Sequence, residues 1–207
     1  CRRGEKLLFI NFEESIAAMT SAMVSVNIDL HPYLNDGTLR MLTAMPESMG
    51  AEKHFFRAFK AIEQFQPDHV LVDAISATLR IDTRQAAFEY LMRLISTCKE
   101  RGITSLLSNQ LGTSHSAVDE ISGLGISSLM DSLLMLRYVS HGPDIRRAFL
   151  VIKSRGMAHS NKYHEFTITD NGIRIIGPYD ISFQASADQA DIDGPVKTRP
   201  QKWGDPE

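Results

Sequence analysis

Two adjacent carboxylates, Glu13 and Glu14, follow directly on the apolar run Leu7-Leu8-Phe9-Ile10-Asn11-Phe12. The run reads as a buried parallel strand, and the carboxyl ends of such strands are where open α/β sheets bind ligands. A buried carboxylate is costly unless it has a partner or a task. The pair therefore reads as part of a site or, for Glu14, as the start of the next helix, where an acid suits the helix dipole. A second acidic strand end is His69-Val70-Leu71-Val72-Asp73. It has the Walker B form, in which the aspartate holds a water of Mg²⁺ beside nucleotide phosphates. Many buried strands end in Asp. Beside Glu13 and Glu14 the pattern gains weight, because a glutamate on a neighbouring strand end can polarise the attacking water or hydroxyl in phosphoryl transfer.

Two further groups could complete such a site. Ser108-Asn109-Gln110 follows a third apolar run, and Asn109 is placed there either to sense a γ-phosphate or to cap the loop. Lys153-Ser154-Arg155-Gly156, with His159 nearby, closes a later strand. Cations two residues apart on an extended chain point the same way. Lys as a point charge and Arg as a fork suit a polyphosphate, or else form a solvated basic edge that blocks strand pairing. No G-x-x-x-x-G-K-[ST] occurs in the 207 residues. Gly112-Thr113-Ser114 and Gly123-Leu124-Gly125 lack both the lysine and the strand-loop-helix setting.

The elements that must position these groups alternate. A helix is predicted over residues 14–28, then strand Leu39–Thr43 and helix Ala51–Phe65, with Phe55, Phe56, Phe59, Ile62 and Phe65 as its inward stripe. Pro67 ends it. After strand His69–Asp73 comes helix Thr83–Arg101, with Phe88, Leu91, Leu94 and Ile95 inward and Gly102 at its end, then strand Ile103–Ser108. Strands alternating with helices give a parallel sheet. Strands Ser132–Val139 and Arg147–Lys153 flank a turn at His141-Gly142-Pro143-Asp144. Tyr163–Ile168 and Ile173–Ile176 form a hairpin around Asp170-Asn171-Gly172. These later strands are expected to extend the sheet in antiparallel fashion. From about Ser182 periodicity and large apolar residues are lost, and residues 182–207 read as a largely disordered tail.

With 43% hydrophobic and 23% charged residues, the chain can bury one sizeable core. A net charge of −3 without a basic stripe makes nucleic acid an improbable partner. Cys1 and Cys98 suggest neither a disulfide scaffold nor a metal site and fit a reduced cytoplasmic setting. No apolar run is long enough to span a bilayer. The chain lacks an initiating Met and enters its first strand almost at once, so it is expected to be a fragment cut within a domain.

In this order the pieces resemble the RecA-like ATPases of the KaiC family, the circadian clock ATPase and autokinase, over roughly residues 1 to 180. The resemblance rests on Phe12-Glu13-Glu14-Ser15, Val72-Asp73-Ala74-Ile75-Ser76-Ala77, Ile126-Ser127-Ser128-Leu129-Met130-Asp131 and Lys153-Ser154-Arg155-Gly156-Met157-Ala158-His159. Tyr163-His164-Glu165-Phe166 and Asp170-Asn171-Gly172-Ile173 also fit. It implies a RecA-like, mostly parallel α/β sheet flanked by helices over residues 1–181, with antiparallel hairpin strands toward the C-terminus and a Walker A segment preceding Cys1. It also implies ATP and Mg²⁺ as cofactors, and a homo-oligomeric ring, a hexamer, with sites between subunits. By position Glu13 and Glu14 match catalytic glutamates, one acting as general base, and Asp73 matches the Walker B aspartate. Lys153 and Arg155 match residues that reach the neighbouring subunit's nucleotide, with His159 near its base. Arg80 matches an arginine near the phosphates. Ser127 and Ser128 stand where the phosphorylating domain carries its acceptor Ser-Thr pair; Ser at the second position departs from that pattern, and two hydroxyls capping the approach to a strand would look the same.

The expected activity is ATP hydrolysis and serine/threonine autophosphorylation. Two alternatives stay open. A RecA- or RadA-like DNA recombination ATPase shares the fold but should carry basic or aromatic contact loops, which Leu111 to Gly125 lacks. A catalytically incompetent oligomerisation or regulatory module needs no ATP site of its own.

Overall fold

The computed structural model describes residues 1–81, 83–110, 125–141, 143–170 and 172–179. Its first strand, β1 (Leu7–Asn11), is fixed at its start by Asp68, whose carboxylate accepts the Lys6 N–H at 2.7 Å. β1 lies between β2 (Leu39–Thr43) and β3 (His69–Asp73), parallel to both, and β4 (Thr104–Leu107) adds to the far side of β3. The order is β2-β1-β3-β4. The register sets Asn11 opposite Thr43 on one side and Asp73 on the other. The carboxyl ends of three strands therefore finish level.

Helices cover this sheet. α1 (Ile16–Val24) starts at Ser15, whose hydroxyl accepts the Ala18 N–H, so it is shorter than the predicted 14–28 and leaves both glutamates outside it. At its other end the chain turns away, with Asn27 at φ 59°. α2 (His31–Asn35) is too short to show periodicity in sequence and was not expected; Pro32 starts it. α3 (Ala51–Phe65) has the predicted bounds and only part of the predicted stripe. His54, Ala58, Ala61, Ile62 and Phe65 are buried, whereas Phe56 is exposed. Phe55 and Phe59 lie at the margin of that face, under the guanidinium groups of Arg93 and Arg101. The small residues let α3 approach the sheet, and the rings shield its flank. α4 (Arg84–Glu100) is capped by the Thr83 hydroxyl and followed by Gly102 at φ 67°. It buries Ala87, Tyr90, Leu91, Leu94, Ile95 and Cys98. These pack with Leu8, Ile10, Phe12, Val70 and Val72 of the sheet and with Ile126. Burial pushes the Cys98 thiol up to about 11, so it behaves as a small core hydrophobe.

The later strands do not extend this sheet. β5 (Ser132–His141), β6 (Asp144–Ser154), β7 (His164–Thr169) and β8 (Gly172–Pro178) form their own sheet in sequence order, with β6 and β7 antiparallel. Short connections favour pairing with the next strand in the chain over an older neighbour. The chain accordingly divides into two compact units: Cys1–Leu133 with Thr169–Gly172, and Leu134–Ile168 with the chain from Ile173. The second has a small core of Val139, Ala148 and Tyr179, and the Tyr179 hydroxyl donates to the Ser140 carbonyl. The expected tail at 182–207 lies outside the described residues, as does most of the loop Leu111 to Gly125. Among the described residues no helix is long and apolar enough to cross a membrane.

Candidate functional site

The site lies at the carboxyl edge of the parallel sheet and begins with Asn11. Its side chain is 2% exposed. Its Oδ1 accepts the backbone N–H of Glu13 at 2.8 Å and of Glu14 at 3.0 Å. Phe12, between them, is buried and sets its ring edge-on to His54 and Tyr90. Its N–H donates to the Asp73 carbonyl. Phe12 thus points into the core while the next two residues turn outward. The cavity beside Asn11, lined also by Leu42, His54, Arg57 and Tyr90, has a volume of only about 10 Å³, room for about one water molecule and far below a ligand pocket.

Neither glutamate is buried, contrary to the cost argument made from sequence. The turn that Asn11 holds carries them past the strand end into solvent. Glu13 instead meets Arg80, with Oε1 to Nη2 at 2.9 Å, and the same guanidinium reaches Glu47 through Nε at 2.9 Å. Arg80 ends a 3₁₀ turn, Ile75–Arg80, that buries Ile75, Ala77 and Thr78 and is closed by the Thr78 hydroxyl donating to the Ile75 carbonyl. Glu47 sits in a second 3₁₀ turn, Pro46–Ser48, whose Pro46 carbonyl accepts from Nε2 of buried His54 at 2.9 Å. The Arg80 guanidinium is held further into its charged form by its hydrogen bonds to Glu13 and then Glu47. The Glu47 carboxyl is held below its ordinary range, first by its own backbone N–H and then by Arg80. All three are about half exposed, so the triad orients side chains more than it adds stability. No described residue bonds the carboxylate of Glu14.

Asp73 stands beside Asn11 on β3, half-buried, and its Oδ1 accepts from the Ser108 hydroxyl. The Asp73–Ala74 peptide is cis. Backbone bonds from Ser108 to the Val72 carbonyl and from Ile75 to the Ser108 carbonyl tie the ends of β3 and β4 together. Half-buried Asn109 follows on the same edge. Among the described residues no three carboxylate, imidazole or thiol groups gather as a metal cage. One hard carboxylate beside a hydroxyl fits Mg²⁺ held through water and phosphate oxygens rather than by an all-protein cage.

The structure thus brings together Glu13, Glu14, Asp73, Arg80 and Asn109. Ser127 and Ser128 lie in the 3₁₀ turn Ile126–Leu129, ahead of β5, with Ser128 exposed. Lys153, Arg155 and His159 belong to the second unit. Lys153 is on β6, but Arg155 is already in the turn at Gly156 (φ 75°), so strand alternation does not align the two cations as expected. Sequence reasoning missed the parts played by Asn11, Glu47 and Ser108. A polar residue closing an apolar strand two positions before the glutamates was a signal for Asn11. Nothing local marks Glu47, 33 residues from Arg80.

A family model described as "ATPase: KaiC" matches residues 1–180. The chain is 32% identical to the circadian clock protein KaiC2 of Synechocystis sp. over 86% of its length and 32% of that protein's. It is 32% identical to the circadian clock oscillator protein KaiC of Picosynechococcus sp., with 84% and 34% covered. For the KaiC of Parasynechococcus marenigrum the figures are 33%, 84% and 34%. The chain spans about a third of the length of these curated relatives. With four-fifths or more of its own residues matched in each comparison, the chain belongs to the KaiC family of ATPases.

Proposed function

We propose that this chain carries the acidic half of an ATP-dependent autokinase and ATPase site that is completed between subunits of a hexameric ring in the cytoplasm. The observation that carries the reading is the register of β1 against β3. It sets Asn11, with the Glu13–Glu14 turn it holds, level with Asp73 on adjacent parallel strands. Two kinds of carboxylate thereby meet at one edge with different surroundings. Asp73, half-buried and fixed by Ser108, is suited to hold Mg²⁺. Glu13 and Glu14, turned into solvent, are suited to take a proton from a water or a serine hydroxyl. Bound ATP·Mg²⁺ would supply the transferable phosphoryl group, with its charge partly neutralised by the metal.

Arg80 holds the Glu13 carboxylate in place; Glu14 is the less restrained of the two. Asn109, on the next strand end, is placed to sense a terminal phosphate. Lys153 and Arg155 would reach the site of the neighbouring subunit and stabilise charge on the transferred group, with His159 near the base. Ser127 and Ser128 are the proposed acceptors. Their position in an irregular turn ahead of a strand, with Ser128 exposed, supports access by a neighbouring site.

In the intact protein, Glu13→Gln with Glu14→Gln should lower phosphate transfer by roughly 10²–10⁴-fold while ATP still binds. Unchanged turnover sinks the assignment. A second reading is a regulatory or oligomerisation module without an ATP site of its own. Clear binding of a labelled ATP analogue by residues 1–207 alone argues against it.

A further inference from the structure

We propose that Asn11 is a positioning residue for the Glu13–Glu14 pair, acting through the single oxygen that both backbone amides share. The inference rests on the catalytic reading of the pair. Asn11 is the last residue of a strand whose other inward positions are apolar, and it is buried among Ile10, Phe12, Leu42 and Tyr90. An apolar side chain would suit those surroundings better. The side-chain orientation is set by chemistry, because two N–H donors, from Glu13 and Glu14, can converge only on the carbonyl oxygen. Nδ2 is thereby turned inward, where it finds no acceptor among the described residues. Buried amides left half-satisfied are uncommon and call for a reason. Here the reason is the other end of the group, which closes an Asx-type turn at the strand exit.

The turn is held from both sides. Ser15 caps α1 immediately after it, so four successive residues, Asn11 to Glu14, have no freedom to slide along the strand axis. Arg80 then fixes one of the two carboxylates at its far end. Without the Asn11 oxygen the backbone of both glutamates would be held only by its neighbours. Misplacement of a reacting group by about an ångström costs on the order of 100-fold in rate.

The test is amide hydrogen exchange and steady-state kinetics on the intact protein. Asn11→Ala should speed exchange of the Glu13 and Glu14 amides by at least about tenfold and lower kcat by roughly 10- to 100-fold with little change in KM for ATP. Asn11→Ser keeps an acceptor that makes the same turn more weakly and should recover part of both losses, which also guards against a folding defect in the alanine variant. Unchanged exchange in Asn11→Ala overturns the clamp. Faster exchange with unchanged kcat overturns the positioning role while leaving the pair catalytic, provided Glu13→Gln with Glu14→Gln is inactive. If that double variant turns over normally, the functional reading fails first and the positioning role fails with it.

Discussion

The acidic and basic halves of the proposed site are built on different physical terms. At the edge of the parallel sheet each carboxylate stands on a strand end or on the turn just after it, and register with a neighbouring strand decides its place. Behind that edge lies the main core, with Leu8, Val72, Leu91 and Leu94 almost fully buried. At the end of β6, Lys153 is still in a strand, Arg155 is in a turn and His159 is in the irregular chain beyond, the last two exposed. Among its described residues the second unit buries few large ones, and Leu134, Leu136, Tyr138, Ile145 and Ile175 are exposed. One half is preorganised by its own fold. The other, on the proposed reading, would be completed by the surface of a neighbouring subunit. Side chains not fixed before an interface forms must be ordered as it forms, at a cost of about 0.5–1.5 kcal/mol each.

The sharpest way to break this comparison is to separate the halves genetically. Subunits with Glu13→Gln and Glu14→Gln should be inactive, and so should subunits with Lys153→Ala and Arg155→Ala. Mixed in equal amounts and reassembled, the two should regain activity, because about a quarter of randomly formed interfaces would join an intact acidic edge to an intact basic turn. Phosphate release by the mixture, compared with each variant alone, is the measurement. Absence of any recovery, with rings shown to exchange subunits, would place both halves in one chain and remove the distinction.

A second test compares what holds each half in place. Leu91, fully buried between α4 and the sheet, should cost about 2–5 kcal/mol when truncated to Ala, through lost burial and an incompletely filled cavity. Ile145→Ala in the antiparallel sheet, at a residue 74% exposed, should fall within about 0.5 kcal/mol. Urea unfolding of the two variants checks the pair. A large loss for Ile145 would show that the second sheet is covered in solution.

The same contrast explains what could be read from the chain. Strands β2 and β3 and helix α3 were legible residue for residue, because periodicity and end signals agree there. The carboxylates at strand ends were legible for the same reason. The buried face of α3 was legible only in part: Ile62 and Phe65 are buried as expected, but His54, Ala58 and Ala61 fill the rest of the face and Phe56 lies outside it. The second sheet was not legible, because alternation along β5 to β8 predicts strands without saying which sheet they join. Contacts such as Arg80 to Glu47, or Ser108 to Asp73, depend on turns whose paths tertiary packing decides, and residue types alone do not announce them.

The smallest expected effect concerns the exposed triad and separates orientation from stability. Arg80→Gln removes both ion pairs, yet they are solvent-screened, so the melting temperature at pH 7 should change by no more than about 2 °C. Turnover should fall several-fold, to about tenfold, because Glu13 loses the group that holds its carboxylate. Arg80→Lys, which keeps the charge but not the fork, should fall between. Acid provides the control. The Glu47 carboxyl lies below its ordinary value of 4.5 in the folded protein, so its contribution is complete above that value and disappears as pH falls through the lower folded one. Melting temperatures of Arg80→Gln and the unaltered protein should therefore converge in acid, once the pH has fallen below the lowered Glu47 value. A large destabilisation that is the same at pH 7 and in acid would mean that Arg80 acts through packing of its stem rather than through its ion pairs.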